Sequence, residues 1–398
     1  MQPLSGIRVL DVTSVIMGPF AAQMLGDMGA DVIKIEPPGG DSVRAVGPAR
    51  HPGMGPMFMQ ANRNKRSLVL DLKHTAGREA LLRLARTADV MLYNVRPQAM
   101  ARLRLADADV RAVNPEIIHV GAFGFGQTGP YAARPAFDDL VQGLLALPSL
   151  FVQAGGDIPR YAPLAVIDRY MASAVCNAIL GALLYKQRTG RGQAIEVPMF
   201  ETMVQIILGD HMGGMNFEPP LGPPGYPRSL APERHPYKTR DGYVCVMVFT
   251  DRHWASFCAL VGDPDRVRTD PRFAGITQRT EHARAVHAYL EEKLTARTTA
   301  EWLAAFIEAD IPATPLHTLT SLFDDEHVVK TGLIQIVEHP SEGAVRVVMP
   351  AATWSLSPPD IRRLPPRLGE HSAELLREAG YGDADIRGLV EAGVTTLG

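Results

Sequence analysis

The feature that most constrains this chain is the alternation of short apolar runs with helix-forming stretches through its first 123 residues. Residues 7–12 (IRVLDV) form an apolar run suited to a buried parallel strand. Residues 19–30 (PFAAQMLGDMGA) predict a helix that starts near Pro19 and ends near Gly29, and DVIKIE at 31–36 predicts the next strand. The order then repeats, with SLVLDLK at 67–73, a helix through GREALLRLARTA, DVMLYNV at 89–95 and IIHVGAF at 117–123. Strands separated by helices run parallel, because each crossover carries the chain back to the same end of the sheet. The prediction is an α/β fold with a doubly wound parallel sheet.

From residue 138 the pattern turns helical. DDLVQGLLAL is a short apolar helix, and a long one is predicted from Asp168 to about Gln187, closed by TGRGQ at 189–193 and followed by the strand QAIEVPM. Residues 216–237 hold seven prolines and predict a linker or a loop laid across a surface. A new strand, DGYVCVMVF, and amphipathic helices around 252–260 and 281–309 follow. The predicted organisation is a large domain over 1–215, a linker over 216–237, a smaller α/β domain over 238–316, and a tail over 317–398. That tail holds a strand pair (LIQIVEHP, AVRVVMPA) and a polar helical end.

A net charge of -3 gives no reason to expect nucleic acid or an anionic membrane as partner. Cys176, Cys245 and Cys258 lie far apart with no C-x-x-C spacing, which indicates neither a disulfide framework nor a cysteine metal site and suits a reducing cytoplasm. The start, MQPLSGIRVLDV, lacks the basic and apolar regions of a signal peptide. No uninterrupted apolar run reaches the roughly 20 residues of a membrane span. The expectation is a soluble cytoplasmic protein.

Several motifs could carry chemistry. GFGQTG at 124–129 matches G-x-G-x-x-G after a predicted strand, but Pro130 and YAARPAF follow where a dinucleotide fingerprint would open a helix. The first βα turn, TSVIMGP, carries a single glycine. A glycine-rich loop at a strand's C-terminal end is the better reading, and such a loop can still line a pocket. TGRGQ lacks the lysine and spacing of a phosphate loop and reads as a helix C-cap with a turn. The twelve histidines show no metal spacing, and no G-x-S-x-G elbow is present. No metal site is expected.

Asp168 follows an apolar run and opens a long, nearly uncharged helix. As an N-cap it would bond free helix N–H groups. As a nucleophile it would gain from a helix N-terminus, which favours the ionised carboxylate, and from nearby N–H groups that can hold an oxyanion. The residues alone leave both roles open.

PLSGIRVLDVTSVIMGPFAAQMLGDMGADVIKIEPPGGDSVR resembles the opening of family III CoA-transferases, the group that includes formyl-CoA transferase. The resemblance continues through NRNKRSLVLDLKHTAGRE, ADVMLYNVRPQAMARL, NPEIIHVGAFGFGQTGPYAARPAFD, TGRGQAIEV and LGEHSAELLREAGY, in the family's order and over nearly the whole chain. It implies that Asp168 is the catalytic aspartate. In the family that carboxylate attacks the donor thioester to give a mixed anhydride and CoA thiolate, and CoA passes through an aspartyl-CoA thioester to the acceptor acid. The resemblance implies acyl-CoA and small carboxylic acids as substrates and no permanently bound cofactor. It further implies CoA contacts at Ile16 and Met17 in the first βα turn, at Leu70, Asp71, Leu72 and Lys73, at Asn94, Val95, Arg96 and Arg102, and at Pro135, Ala136, Phe137 and Asp138. Lys73, Arg96 and Arg102 are the natural phosphate partners among them.

The chain also departs from the family. Ile16 stands where formyl-CoA transferase has glutamine, so formyl-CoA is not the expected donor, and succinyl-CoA is the reasonable guess. Pro37 replaces the arginine that follows VIKIE, and GPPGYP at 222–227 matches the glycine-rich lid of some members poorly. The family likeness implies an interlocked homodimer, with 317–398 returning to the large domain. An acyl-CoA racemase on the same fold is the rival, with Asp251 near its glutamate, but it needs a G-H-D histidine where this chain has Ala136-Phe137-Asp138. A dinucleotide-dependent oxidoreductase and a non-catalytic acyl-CoA binding protein are the alternatives of other classes.

Overall fold

The computed structural model describes residues Met1–Gly398 and separates into two compact units. The first comprises Met1–Val141, Pro163–Met203 and Glu326–Gly398, and the second Gln142–Ala162 and Val204–Asp325. The predicted limits differ from these: the proline-rich 216–237 belongs to the second unit, as does 142–162.

Six parallel strands form the centre of the first unit: β1 (Arg8–Val12), β2 (Asp31–Glu36), β3 (Lys65–Val69), β4 (Val90–Tyr93), β5 (Ile118–Phe123) and β6 (Ala194–Pro198). Their spatial order is β3-β2-β1-β4-β5-β6. The winding direction reverses between β1 and β4, and in open α/β sheets that reversal opens a crevice beyond the strands' C-terminal ends. The helices α1 (Met17–Asp27), α3 (Thr75–Ala85) and α6 (Asp138–Leu144), the last running on into the second unit, fall where predicted, and between them lie the single turn α2 (Pro56–Met59), which was not predicted, α4 (Pro97–Arg102) and α5 (Asp107–Arg111).

Alternation along the strands sends residues to two different faces. Leu10, Ile33, Ile35 and Leu68 pack with Leu81 and Leu84 of α3. Leu375, Leu376, Ile386 and Leu389 join that same core from two C-terminal helices. The opposite face, under α1, is charged. Lys65 Nζ donates to Asp11 at 2.7 Å, to the Pro19 carbonyl of α1 at 2.7 Å and to Asn62 at 2.8 Å, with Lys65 and Asp11 fully buried.

The long helix α8 (Val166–Thr189) packs along α1. By length and composition alone it could cross a membrane, but Ile167, Met171, Val175 and Ile179 are buried within the unit, as suits a core helix. It closes on Gly190, whose φ of +72° favours glycine and whose N–H donates to Lys186 O at 2.7 Å. TGRGQ is therefore a C-cap and a turn. After β6 comes α9 (Met199–His211), and the C-terminal part adds α15 (Glu326–Lys330), the hairpin β10 (Ile334–His339) with β11 (Gly343–Val348), α16 (Ser372–Glu378) and α17 (Asp383–Glu391).

The second unit has its own core. The short α7 (Leu147–Gln153) precedes an antiparallel sheet of β7 (Tyr237–Lys238), β8 (Tyr243–Val246) and β9 (Ala313–Pro315). Around it lie α10 (Asp251–Leu260), α11 (Arg266–Thr269), α12 (Ile276–Glu281), α13 (Ala283–Leu294) and α14 (Thr299–Glu308). Trp254, Phe257, Phe273, Trp302 and Phe306 fill the interior, where aromatic rings bury a large apolar area each. The Trp302 indole N–H donates to Leu294 O at 2.7 Å, so its polar atom is satisfied.

Candidate active site

The β1–α1 turn at the β1/β4 switch point, where such sheets bind ligands, is held in place by side chains. The β1–α1 turn passes through Val15 at a φ of +73°, a conformation costly for a β-branched residue. Three side chains fix it. Asp41 accepts from Val15 N at 3.1 Å, Lys34 Nζ donates to Thr13 O at 3.0 Å and to Asp41 at 2.9 Å, and Asp11 accepts from Thr13 N at 3.1 Å. Lys34 is fully buried, and the carboxylates of Asp11 and Asp41 hold its ammonium above the usual lysine range despite desolvation. From the other side of the switch point, Asn94 at the end of β4 accepts from Ser14 N at 3.1 Å and donates to Ser14 O at 2.8 Å.

This turn ends at the start of α1, which has no side-chain cap, so the N–H groups of Met17 and Gly18 have no side-chain acceptor. Neighbouring loops complete the rim. Arg96 after β4 donates to Ala133 O at 2.9 Å, and Gln98 to Gln127 at 3.2 Å, joining the β4–α4 loop to the segment after β5. Gly124 lies so close to Ala136 that a Cβ there would approach its methyl carbon to 2.2 Å, and Gly126 N donates to Glu201 of α9 at 2.9 Å. Gly124 and Gly126 of GFGQTG thus serve close packing, and no helix opens until Asp138, unlike a dinucleotide fingerprint.

Asp168 is not the N-cap. Helix α8 starts at Val166, its N-cap is Ala165, and Asp168 is the third helical residue. The cap is supplied from elsewhere: Asp138 Oδ2 accepts from the Asp168 backbone N–H at 2.9 Å. Since Val166 N–H also donates, to Leu164 O at 2.8 Å, the start of α8 has little left for an oxyanion. The expected stabilisation of the ionised carboxylate is overturned as well. Burial first, and the like charge of Asp138 second, push Asp168 up to about 6, with Arg169 pulling the other way. The Arg169 guanidinium lies 4.6 Å above the Phe20 ring in the first turn of α1, which places the starts of α1 and α8 side by side.

The residues expected around CoA divide by accessibility. Lys73, Val95, Arg96, Arg102, Pro135 and Phe137 are exposed, and neither Lys73 nor Arg102 has a carboxylate partner. Asp71, Leu72, Asn94 and Ala136 are half-buried. Ile16, Met17, Leu70 and Asp138 are buried, so the side chains of the first three belong to the interior. Sequence reasoning missed Lys34, Asp41 and Glu201. The signal for Asp41 was present, an aspartate after a Pro-Pro-Gly-Gly turn, where a side chain capping backbone N–H groups is common. Asp251, the residue nearest a racemase glutamate, is tied to the buried Arg279 at 2.5 Å in the second unit.

The profile described as CoA-transferase family III matches residues 4–372. The chain is 34% identical over 391 residues to succinate–glutarate CoA-transferase of Agrobacterium fabrum, covering 94% of this chain and 95% of that protein. It is 30% identical over 399 residues to human succinyl-CoA:glutarate CoA-transferase, with 99% and 90% covered. Among solved structures, Rv3272 of Mycobacterium tuberculosis superposes with a TM-score of 0.80 at 29% identity, covering 94% of this chain and 98% of that one.

Proposed function

The chain belongs to CoA-transferase family III, and on that premise we propose that it moves CoA from succinyl-CoA to a short dicarboxylic acid through covalent intermediates on Asp168. One observation carries the mechanism: the half-buried Asp168 carboxyl is pushed up to about 6 by burial and by Asp138, and the next residue, Arg169, stacks on Phe20 in the first turn of α1. At pH 7 such a group is about nine-tenths ionised, yet poorly solvated, which suits a nucleophile. The substrate assignment is supported by the names of the relatives, which include succinyl-CoA:mesaconate CoA-transferase of Haloarcula hispanica beside the two glutarate enzymes.

In the proposed reaction an Asp168 oxygen bonds to the succinyl thioester carbon, the C–S bond breaks, and CoA leaves as thiolate. The thiolate then attacks the aspartyl carbon of the mixed anhydride, releasing succinate and leaving an aspartyl-CoA thioester. The acceptor carboxylate attacks that thioester, forming a second anhydride and freeing the thiolate. Attack of the thiolate on the acceptor's acyl carbon gives the new acyl-CoA and restores Asp168. No proton or electron is gained or lost overall. In this reading the N–H groups of Met17 and Gly18 take a carbonyl oxygen or a phosphate of the substrate. Lys73, Arg96 and Arg102 supply charge for the CoA phosphates.

The test is mass spectrometry of the tryptic peptide Tyr161–Arg169 after incubation with a panel of acyl-CoAs and a hydroxylamine quench. A hydroxamate on Asp168 is expected, greatest with succinyl-CoA. An unmodified peptide across the panel, from protein shown to bind CoA esters, would refute the covalent route.

A further inference from the structure

The second unit carries a cavity of about 280 Å³ that the reading above does not use. At its mouth stand two arginines with no carboxylate partner. Arg228 Nη2 has only the Met247 thioether, at 2.8 Å, which is a weak acceptor, and Arg234 makes no ion pair. Of the acidic groups nearby, Glu233 is held by Arg284 at 3.0 Å, and Glu291, 3.8 Å from His235, pairs with neither arginine. Arg279, also in the lining, is spent on Asp251 and the Phe273 carbonyl.

Deeper in, Tyr237 and His287 share a 2.5 Å hydrogen bond. Both are kept neutral. Burial raises the Tyr237 phenol well above its usual range, and burial together with the two arginines lowers His287 to about 4. The remaining wall is apolar, formed by Val248, Trp254 and Leu290. A positive mouth, a neutral hydrogen-bonding pair and an apolar floor select for a single anionic group on a hydrocarbon body. A planar carboxylate fits a guanidinium fork, whereas a free phosphate would leave the apolar wall unused.

We propose that this cavity binds a small carboxylic acid, with its carboxylate on Arg228 and Arg234 and its apolar body against Trp254 and Leu290. The proposal stands on the second unit alone and is independent of the chemistry assigned to Asp168.

Calorimetric titration of the full chain with benzoate, hexanoate, benzyl alcohol and inorganic phosphate tests it. One acid is expected to bind with unit stoichiometry, to bind equally well to Asp168→Asn, and to lose at least tenfold in affinity in the Arg228→Gln/Arg234→Gln double variant. A thermal melt checks that this variant is folded. Filling the cavity with Thr280→Trp, which leaves both arginines in place, is expected to abolish binding too. Binding of neither acid, equal binding of benzyl alcohol, or affinity unchanged in both variants would overturn the proposal. Phosphate binding more tightly than either acid would overturn it in favour of a phosphate site. Acylation of Asp168, followed separately, is expected to survive in the arginine variant, so failure here and failure of the transferase mechanism are told apart.

Discussion

Asp138 caps the backbone of the residue whose side chain it also perturbs: its Oδ2 accepts the Asp168 N–H at 2.9 Å, and its charge adds to the burial that lifts the Asp168 carboxyl to about 6. If Asp168 must be ionised to attack, acyl-enzyme formation rises with pH through about 6 and levels off above neutrality. Asp138→Asn keeps an oxygen to accept the N–H but removes the charge. Its acid limb is expected to move down, by up to about one pH unit. The pH profile of kcat/KM checks this, and a limb that stays in place would assign the shift to burial alone.

The same carboxylate costs stability. Its folded pKa, about 6, lies above the value of 3.8 expected in an unfolded chain. The folded state therefore carries its full penalty above pH 6 and is relieved as the pH falls toward 4. About two units correspond to roughly 3 kcal/mol as an upper figure. Asp168→Asn is expected to raise the melting temperature by on the order of several °C at pH 8, with the gain shrinking at pH 5. Its transferase activity is expected to fall by on the order of a thousandfold or more. Melts at the two pH values, run beside an activity assay, read both effects.

The strands were legible because their apolar runs are short, bounded and separated by helical stretches, as in IRVLDV and DVIKIE. Their burial on both faces hid something else. Asp11, Lys34 and Glu36 sit within those runs and Lys65 just before the third, and only the spatial order β3-β2-β1 brings them into one buried network under α1. Asp168 stood out by its place in front of a long uncharged helix, but its environment did not. The cap from Asp138 spans 30 residues and depends on the course of the loop after β5. A carboxylate's titration is set by neighbours that local sequence does not name.

Lys73 and Arg102 are exposed, and no acidic side chain neutralises either. If they hold the CoA phosphates, each loses a charge-assisted bond on truncation, worth about 1.5–3 kcal/mol at low salt. Lys73→Ala and Arg102→Ala are each expected to raise KM for the acyl-CoA by about 10-fold with little change in kcat, and to flatten the dependence of KM on ionic strength. Arg96 holds the Ala133 carbonyl as well, so its replacement is expected to lower kcat along with affinity.

The last expectation concerns Lys34, which is fully buried. Its ammonium ties Asp41, which holds the strained Val15, to the Thr13 carbonyl in the same turn. Lys34→Met would strand the buried carboxylate of Asp41, while Asp11 keeps Lys65, at a cost of about 3–5 kcal/mol, which urea unfolding would register. A loss of stability alone would not separate support of the fold from support of the site. The double variant Lys34→Met/Asp41→Leu can. Removing both charges is expected to restore much of the lost stability, because an apolar pair of similar volume carries no desolvation penalty. It also leaves Val15 N–H without its acceptor, so the turn that presents the Met17 and Gly18 N–H groups is no longer fixed. KM for acyl-CoA is therefore expected to stay high in the double variant while its unfolding midpoint recovers. Recovery of both together would mean that the network serves the fold and leaves the crevice to shape itself.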